Sequence, residues 1–169
     1  MDNSNFLLFL DLDGVLTPTK YLEEMHKKFI TKDKNFHYRN IMQRYIFDSN
    51  CVENLNQLYI KCKYSIVLTS TRRAEFTLEQ WNFIFDINDI KANIIGCTPT
   101  SDNFVRQDEI RQYISKNNIN IPFIIVDDDI YDLIYYRSRL IHVLSSEGYN
   151  KNYFNKTLDI LKWQGVDVK

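Results

Sequence analysis

Carboxylates stand at two places in this sequence where a short apolar run ends. Asp11 and Asp13 follow Phe6, Leu7, Leu8, Phe9 and Leu10 in the order Asp-Leu-Asp-Gly-Val, and Asp127, Asp128 and Asp129 follow Ile124, Ile125 and Val126. Two carboxylates two residues apart, ahead of a glycine turn, can project into one space and share a divalent cation. A polar Asp-Gly turn has the same composition. Three adjacent carboxylates repel one another unless a cation or solvent offsets their charge, so Asp127 to Asp129 read as a metal site or as a solvated acidic loop or cap. Two such clusters in one chain favour the metal. A calcium loop of the EF-hand kind does not fit, because Gly14 comes too early in the run and Val15 stands where a third acidic ligand belongs.

Two further positions suit an anion. Ser70, in the passage Val67-Leu68-Thr69-Ser70-Thr71-Arg72, offers a hydroxyl just past an apolar run, where the amides of the following turn can meet a phosphoryl oxygen. Many strands also end on Ser or Thr without any ligand. Arg106 opens a helical stretch with Phe104, Val105, Ile110 and Ile114 as its apolar face. It is either the cation that balances the carboxylates and a phosphate or an ordinary exposed helix arginine. His26, His37 and His142 show no metal-ligand spacing and read as structural or surface residues.

The elements that must position these groups are short apolar runs alternating with amphipathic stretches. Residues 6–10, 65–68, 93–96, 123–126 and 140–144 read as strands. Residues 50–63, 77–85, 103–117 and 130–137 read as helices, the second opening with a capping box from Thr77 to Gln80. Alternation of this kind predicts a parallel sheet, and in a parallel sheet all strand carboxyl ends share one edge, where ligands bind. Asp11, Asp13, Ser70, Asp127 and Asp128 each fall just past an apolar run, so the sheet should bring them together.

With 169 residues the chain suits one core, burying roughly 70% of its unfolded surface. The 44% hydrophobic and 25% charged composition, with four Gly and three Pro, excludes fibrous and disordered classes. Lys+Arg 21 against Asp+Glu 22 gives a net charge of -1, so any polyanion site must be local. Cys51, Cys62 and Cys97 are widely spaced and odd in number, which fits reduced thiols. No signal core or membrane segment is visible, and a cytoplasmic location is expected.

Residues 17–47 are the least regular part and carry Lys20, Lys27, Lys28, Lys32, Lys34, Arg39 and Arg44 against Glu23, Glu24 and Asp33. They read as a helical flap inserted after the first strand. Lys27, Lys28, Arg39 and Arg44 are interleaved with Phe29, Phe36, Tyr38 and Tyr45, which either grip an acidic peptide or nucleotide bases or form a solvated face whose aromatics pack on the core.

In order, Asp-x-Asp-Gly-Val, a Ser past a strand, a helix with Arg, and Asp-Asp past a strand resemble the haloacid dehalogenase (HAD) superfamily. The passages at 66–72 (IVLTSTR), 95–99 (IGCTP), 106–110 (RQDEI) and 125–129 (IVDDD), with Gly148, are similar to small capless members such as the phosphatase domain of Swiss Army Knife RNA-repair proteins. Thr71 stands where those relatives usually carry Trp. The resemblance implies a single Rossmann-like α/β domain over residues 1–169, with a central parallel sheet, helices on both faces, a minimal flap at 17–47 and no large cap. It implies a phosphatase in which Asp11 is the nucleophile, forming an aspartyl-phosphate, and Asp13 the acid/base. Ser70, Thr71 and Arg106 would hold the phosphoryl oxygens, and Mg2+ would sit on Asp11, the carbonyl of Asp13, and Asp127, with Asp128 ordering a water or an outer contact.

Dehalogenating relatives lack an acid at the position of Asp13, so the resemblance favours phosphoesters. An open site suits a phosphate on something large, a phosphotyrosine protein or a nucleic-acid end. Transfer to another acceptor, or a silent domain that only binds a phosphorylated partner, are the alternatives; an intact residue set argues against silence.

Overall fold

The apolar run Phe6–Leu10 forms strand β1, and every residue in it is buried, as a strand covered on both faces of a parallel sheet must be. The computed structural model describes residues 5–30, 45–101 and 105–169. Among these, β1 is flanked by β2 (Tyr64–Leu68) and β4 (Phe123–Asp127), with β3 (Ile94–Cys97) outside β2 and β5 (Leu140–His142) outside β4. All four pairings are parallel, and the order is β3-β2-β1-β4-β5. The register sets Leu10 beside Leu68 and Val126, so β1, β2 and β4 end side by side.

Because side chains alternate across a strand, β1 feeds two cores. Phe6, Leu8 and Leu10 join the larger one with α2 (Ser49–Lys61), α3 (Leu78–Ile87) and α5 (Lys151–Trp163), through residues such as Leu55, Trp81 and Phe154. Leu7 and Phe9 join the smaller one with Ile110 of α4 (Arg106–Lys116) and Leu133 of a 3-10 helix at Tyr131–Tyr136. The result is an α/β domain of Rossmann-like form with helices on both faces of its parallel sheet. Among the described residues no helix is long and apolar enough to cross a membrane.

Local signals explain most of the helix ends. Asp48 accepts from the N–H groups of Asn50 (2.8 Å) and Cys51 (3.2 Å) to cap α2, and Thr77 and Gln80 form the expected reciprocal capping box on α3. Two expectations need correction. The helix read at 130–137 is a kinked 3-10 helix: Asp129, ahead of its N-cap residue Ile130, accepts the N–H of Tyr131 (2.8 Å), and Leu133 leaves helical geometry at φ -127 while its side chain packs in the core. The strand read at 140–144 stops at His142: the Val143 N–H makes the last bond to β4, at the Asp127 carbonyl (2.9 Å), and the chain then turns at Leu144, whose carbonyl accepts the N–H groups of Glu147 (2.8 Å) and Gly148 (3.0 Å).

The basic segment begins with α1 (Thr19–Ile30). The expected flap residues Lys32, Lys34, Phe36, Tyr38, Arg39 and Arg44 lie outside the described residues, as do the side chains of Lys28 and Phe29. Tyr45 is within them and packs on the core: its ring meets Phe76 edge-on at 5.2 Å and lies 6.2 Å from Trp81.

Packing of this density predicts a steep difference between faces of one helix. Leu55→Ala on the buried side of α2 should cost about 2–5 kcal/mol, whereas Ile60→Ala on its exposed side should stay within about 0.5 kcal/mol, measured by urea unfolding.

Candidate active site

Going outward from β1 the chain builds β2 and β3 on one side and β4 and β5 on the other, so the winding reverses between β1 and β4. Such a switch point leaves a crevice at the strand carboxyl ends. Asp11 comes just after β1 and Asp127 ends β4, and the Asp11 N–H donates to the Val126 carbonyl at 3.0 Å. Oxygens of Asp11, Asp127 and Asp128 all lie within 4.8 Å of one another. This is the carboxylate cluster that the two sequence motifs anticipated.

The cluster is electrostatically costly. Burial, with the charge of Asp127 next, pushes the Asp11 carboxyl up to about 7, against the pull of Arg106. Burial also raises Asp127, opposed by Arg106 and by the Asp129 N–H that donates to it at 2.9 Å. Asp128 is raised as well, again chiefly by burial. Arg106, the first residue of α4, sits 3.5 Å from Asp11 Oδ1 and pairs directly with Asp127. Burial works against its charge, but Asp11 and Asp127 more than offset this and keep the guanidinium protonated.

The turn after β1 makes room for the cluster. Gly14 has φ +74, and a Cβ there would lie 2.2 Å from Asp128 Oδ2, so this glycine permits both the left-handed turn and the approach of Asp128. The same turn aims Asp13 into the crevice, where its Oδ1 accepts from Arg72 at 3.2 Å and Thr17 at 3.5 Å. A cleft of about 410 Å³ results, with Asp11, Asp13, Thr71, Arg106 and Asp128 on its wall and Thr19 and Leu22 of α1 at its border. A larger groove of about 490 Å³ runs between α2 and the end of α3; it lies away from the carboxylate cluster.

The hydroxyls of Ser70 and Thr71 are placed differently at the end of β2. Thr71 lines the cleft. Ser70 is buried behind it, its oxygen accepting the Arg72 N–H at 3.3 Å to cap the 3-10 helix at Thr71–Ala74. His142, read as a structural or surface residue, is exposed and contacts the Asp128 carbonyl through Nε2 at 3.1 Å.

Sequence reasoning assigned no role to the two arginines that follow Thr71. Arg72 is 2% exposed, pairs with Asp13, lies 3.6 Å from Glu75 Oε2 and stacks on the Tyr45 ring at 4.5 Å. Its Nε and Nη2 have no hydrogen-bond partner among the described residues, so charge and stacking hold it in place. Arg73 is tied to Glu109 at 2.9 Å. The available signal was two consecutive arginines directly past a buried strand, a poor place for solvated charge.

A parallel sheet with a buried carboxylate cluster and an arginine at its switch point suits an α/β domain that takes a cation and an anion at its strand ends. More narrowly, the family model described as the HAD domain in Swiss Army Knife RNA repair proteins matches residues 7–154, and the chain belongs to that family. No curated protein matches the chain. Among solved structures the chain is similar to a haloacid dehalogenase-like family hydrolase from Streptococcus pneumoniae, at 14% identity and a TM-score of 0.49 over 96% of this chain and 99% of the other.

The raised carboxyl has a thermodynamic consequence. Because Asp11 binds its proton more tightly when folded than the ordinary 3.8 allows, its contribution is most favourable below pH 4 and is lost as pH rises through about 7. Asp11→Asn should therefore stabilise the metal-free protein by roughly 1–3 kcal/mol at pH 8, with the gain shrinking toward pH 4. Urea unfolding in chelator checks this; no gain at pH 8 would mean that neighbouring groups already neutralise the carboxylate.

Proposed function

We propose that the chain is a magnesium-dependent phosphomonoester hydrolase working through an aspartyl-phosphate on Asp11. The observation that carries this reading is the convergence of Asp11, Asp13, Asp127, Asp128 and Arg106 on one crevice at the strand ends. A carboxylate oxygen of Asp11 attacks phosphorus while the ester oxygen departs, and Asp13 gives that oxygen its proton. Asp13 then takes a proton from water, which attacks the aspartyl-phosphate, releases inorganic phosphate and restores Asp11. Arg106 and Thr71 bind phosphoryl oxygens, with Ser70 bracing the turn that presents Thr71.

The donor set fits a hard cation, since it is made of oxygens and its own repulsion is what a divalent ion relieves. Asp11, Asp127 and Asp128 would hold Mg2+, with the Asp13 carbonyl as a further ligand. When bound, the ion supplies positive charge that keeps Asp11 ionised and lowers its repulsion with the incoming phosphate. Arg72 holds Asp13 at the lip of the cleft, where the leaving oxygen needs its proton.

The substrate in this reading is a phosphate carried by a nucleic-acid end. Two observations support it over a phosphotyrosine protein or a small metabolite: the family is described as belonging to RNA repair proteins, and the basic segment 17–47 starts with a helix bordering the cleft. The chain would act as one domain, with 17–47 as its flap. Its three free thiols, Cys51, Cys62 and Cys97, suit the cytoplasm.

Phosphate release should be measured over nucleic-acid ends, phosphotyrosine peptides, sugar phosphates and a generic aryl phosphate. Activity should vanish in chelator and return with magnesium; full activity in chelator rejects the metal. Asp11→Asn should abolish turnover, and Asp13→Asn should slow it about 10²–10⁴-fold, most for poor leaving groups. Turnover near the parent's in Asp11→Asn rejects the nucleophile.

Recognition by the flap is tested separately. Reversing Lys27, Lys28, Arg39 and Arg44 to Glu should raise KM for a nucleic-acid end, less so at high salt, and leave the aryl phosphate almost unaffected. An unchanged KM on every macromolecule would make the segment a cover with no part in recognition.

A further inference from the structure

Among the described residues, the helix that delivers Arg106 begins without a side-chain cap. Its N-cap position is Val105, which has no side chain to bond the free N–H groups of the first turn. Yet Arg106 must be held within tenths of an ångström of Asp11 and Asp127 to serve a phosphoryl group. What fixes this end of α4 lies one turn on, at Glu109, which is 4% exposed. Its Oε1 accepts the N–H of Ser101 at 3.1 Å, and its Oε2 meets Arg73 Nη2 at 2.9 Å.

Arg73 in turn binds the ends of two strands. Its Nε donates to the Thr98 carbonyl at 2.8 Å and its Nη2 to the Pro99 carbonyl at 3.0 Å, both in the segment after β3. Its Nη1 donates to the carbonyls of Thr69 (3.1 Å) and Ser70 (2.9 Å) after β2. One buried guanidinium thus holds the turn that presents Ser70 and Thr71, the connection leaving β3 and, through Glu109, the helix bearing Arg106. A guanidinium is suited to this because its donors form a fixed planar fork that an ammonium lacks.

We infer that Arg73 and Glu109 are positioning residues that set the spacing between the Thr71 turn and Arg106, and so build the two halves of the phosphate site. This rests on the proposed phosphatase reading for its kinetic consequence, but the geometric claim stands apart from it. Glu109→Gln keeps an acceptor for Ser101 while removing the charge that holds Arg73; Arg73→Lys keeps charge while removing the fork. Tyr64→Phe, which deletes the hydrogen bond from the Tyr64 hydroxyl to the Leu55 carbonyl at the opposite end of β2, serves as a control for loss of stability alone.

The experiment compares these variants with the parent below their unfolding temperatures. It measures inhibition by inorganic phosphate, kcat and KM for an aryl phosphate, and the crystal structures of the parent and Glu109→Gln. Glu109→Gln and Arg73→Lys should each weaken phosphate inhibition and lower kcat/KM by about 10-fold or more. Tyr64→Phe should lower the unfolding temperature without either change, and the Glu109→Gln structure should show Arg106 displaced relative to Thr71. Phosphate inhibition equal to the parent's, or the same losses in Tyr64→Phe, would overturn the inference. If the parent neither hydrolyses nor binds phosphate, the functional reading fails, and the positioning claim is then decided by the crystal structures: an unmoved Arg106 in Glu109→Gln refutes it.

Discussion

Like charge buried at one end of a parallel sheet is the constraint from which the rest of this structure follows. Asp11 and Asp127 are almost wholly removed from water and Asp128 lies beside them. Carboxylates so placed resist ionisation unless positive charge is brought to them. Arg106 brings part of it, pairing with both Asp11 and Asp127, and the remaining repulsion is what makes the cluster receptive to a cation. Gly14 answers the same constraint sterically, since only a residue without Cβ lets Asp128 approach.

The frame that imposes this constraint is hydrophobic and two-sided. β1 contributes to both cores at once, and the pairing of Leu10 with Leu68 and Val126 leaves Asp11 no freedom to avoid Asp127. Strand ends held by apolar packing can carry strained polar groups because unfavourable charge is small against the burial that surrounds it. The segments leaving β2 and β3 are also held by buried arginine chemistry, with Arg73 bonded to the carbonyls of Thr69, Ser70, Thr98 and Pro99.

The chain belongs to the HAD domain family of Swiss Army Knife RNA repair proteins, and its carboxylate cluster is made from strand ends. The cleft of about 410 Å³ lies at the strand ends and is bordered by Thr19 and Leu22 of α1. Tyr45, the one of the four interleaved aromatics whose side chain is described, packs on Phe76 and under Arg72. The segment is therefore anchored to the core at its far end.

The sequence by itself determined the sheet and the identity of the carboxylates. Phe6–Leu10 and residues 123–126 were legible because strands buried on both faces need continuous apolar runs, and Asp11, Asp13, Asp127 and Asp128 were legible because a parallel sheet sends its strand ends to one edge. The capping box at Thr77 was legible because it is a contact between near neighbours. Tertiary structure alone decided that Thr71 lines the cleft while Ser70 caps a turn, that residues 131–136 form a kinked 3-10 helix around buried Leu133, and that Arg72 and Arg73 are buried ion-pair partners of Asp13 and Glu109. The physical reason is range. Periodicity and capping depend on residues a few positions apart, whereas the worth of an arginine depends on which distant carboxylate the fold sets within 3 or 4 Å of it, and that distance exists only once the strands have paired.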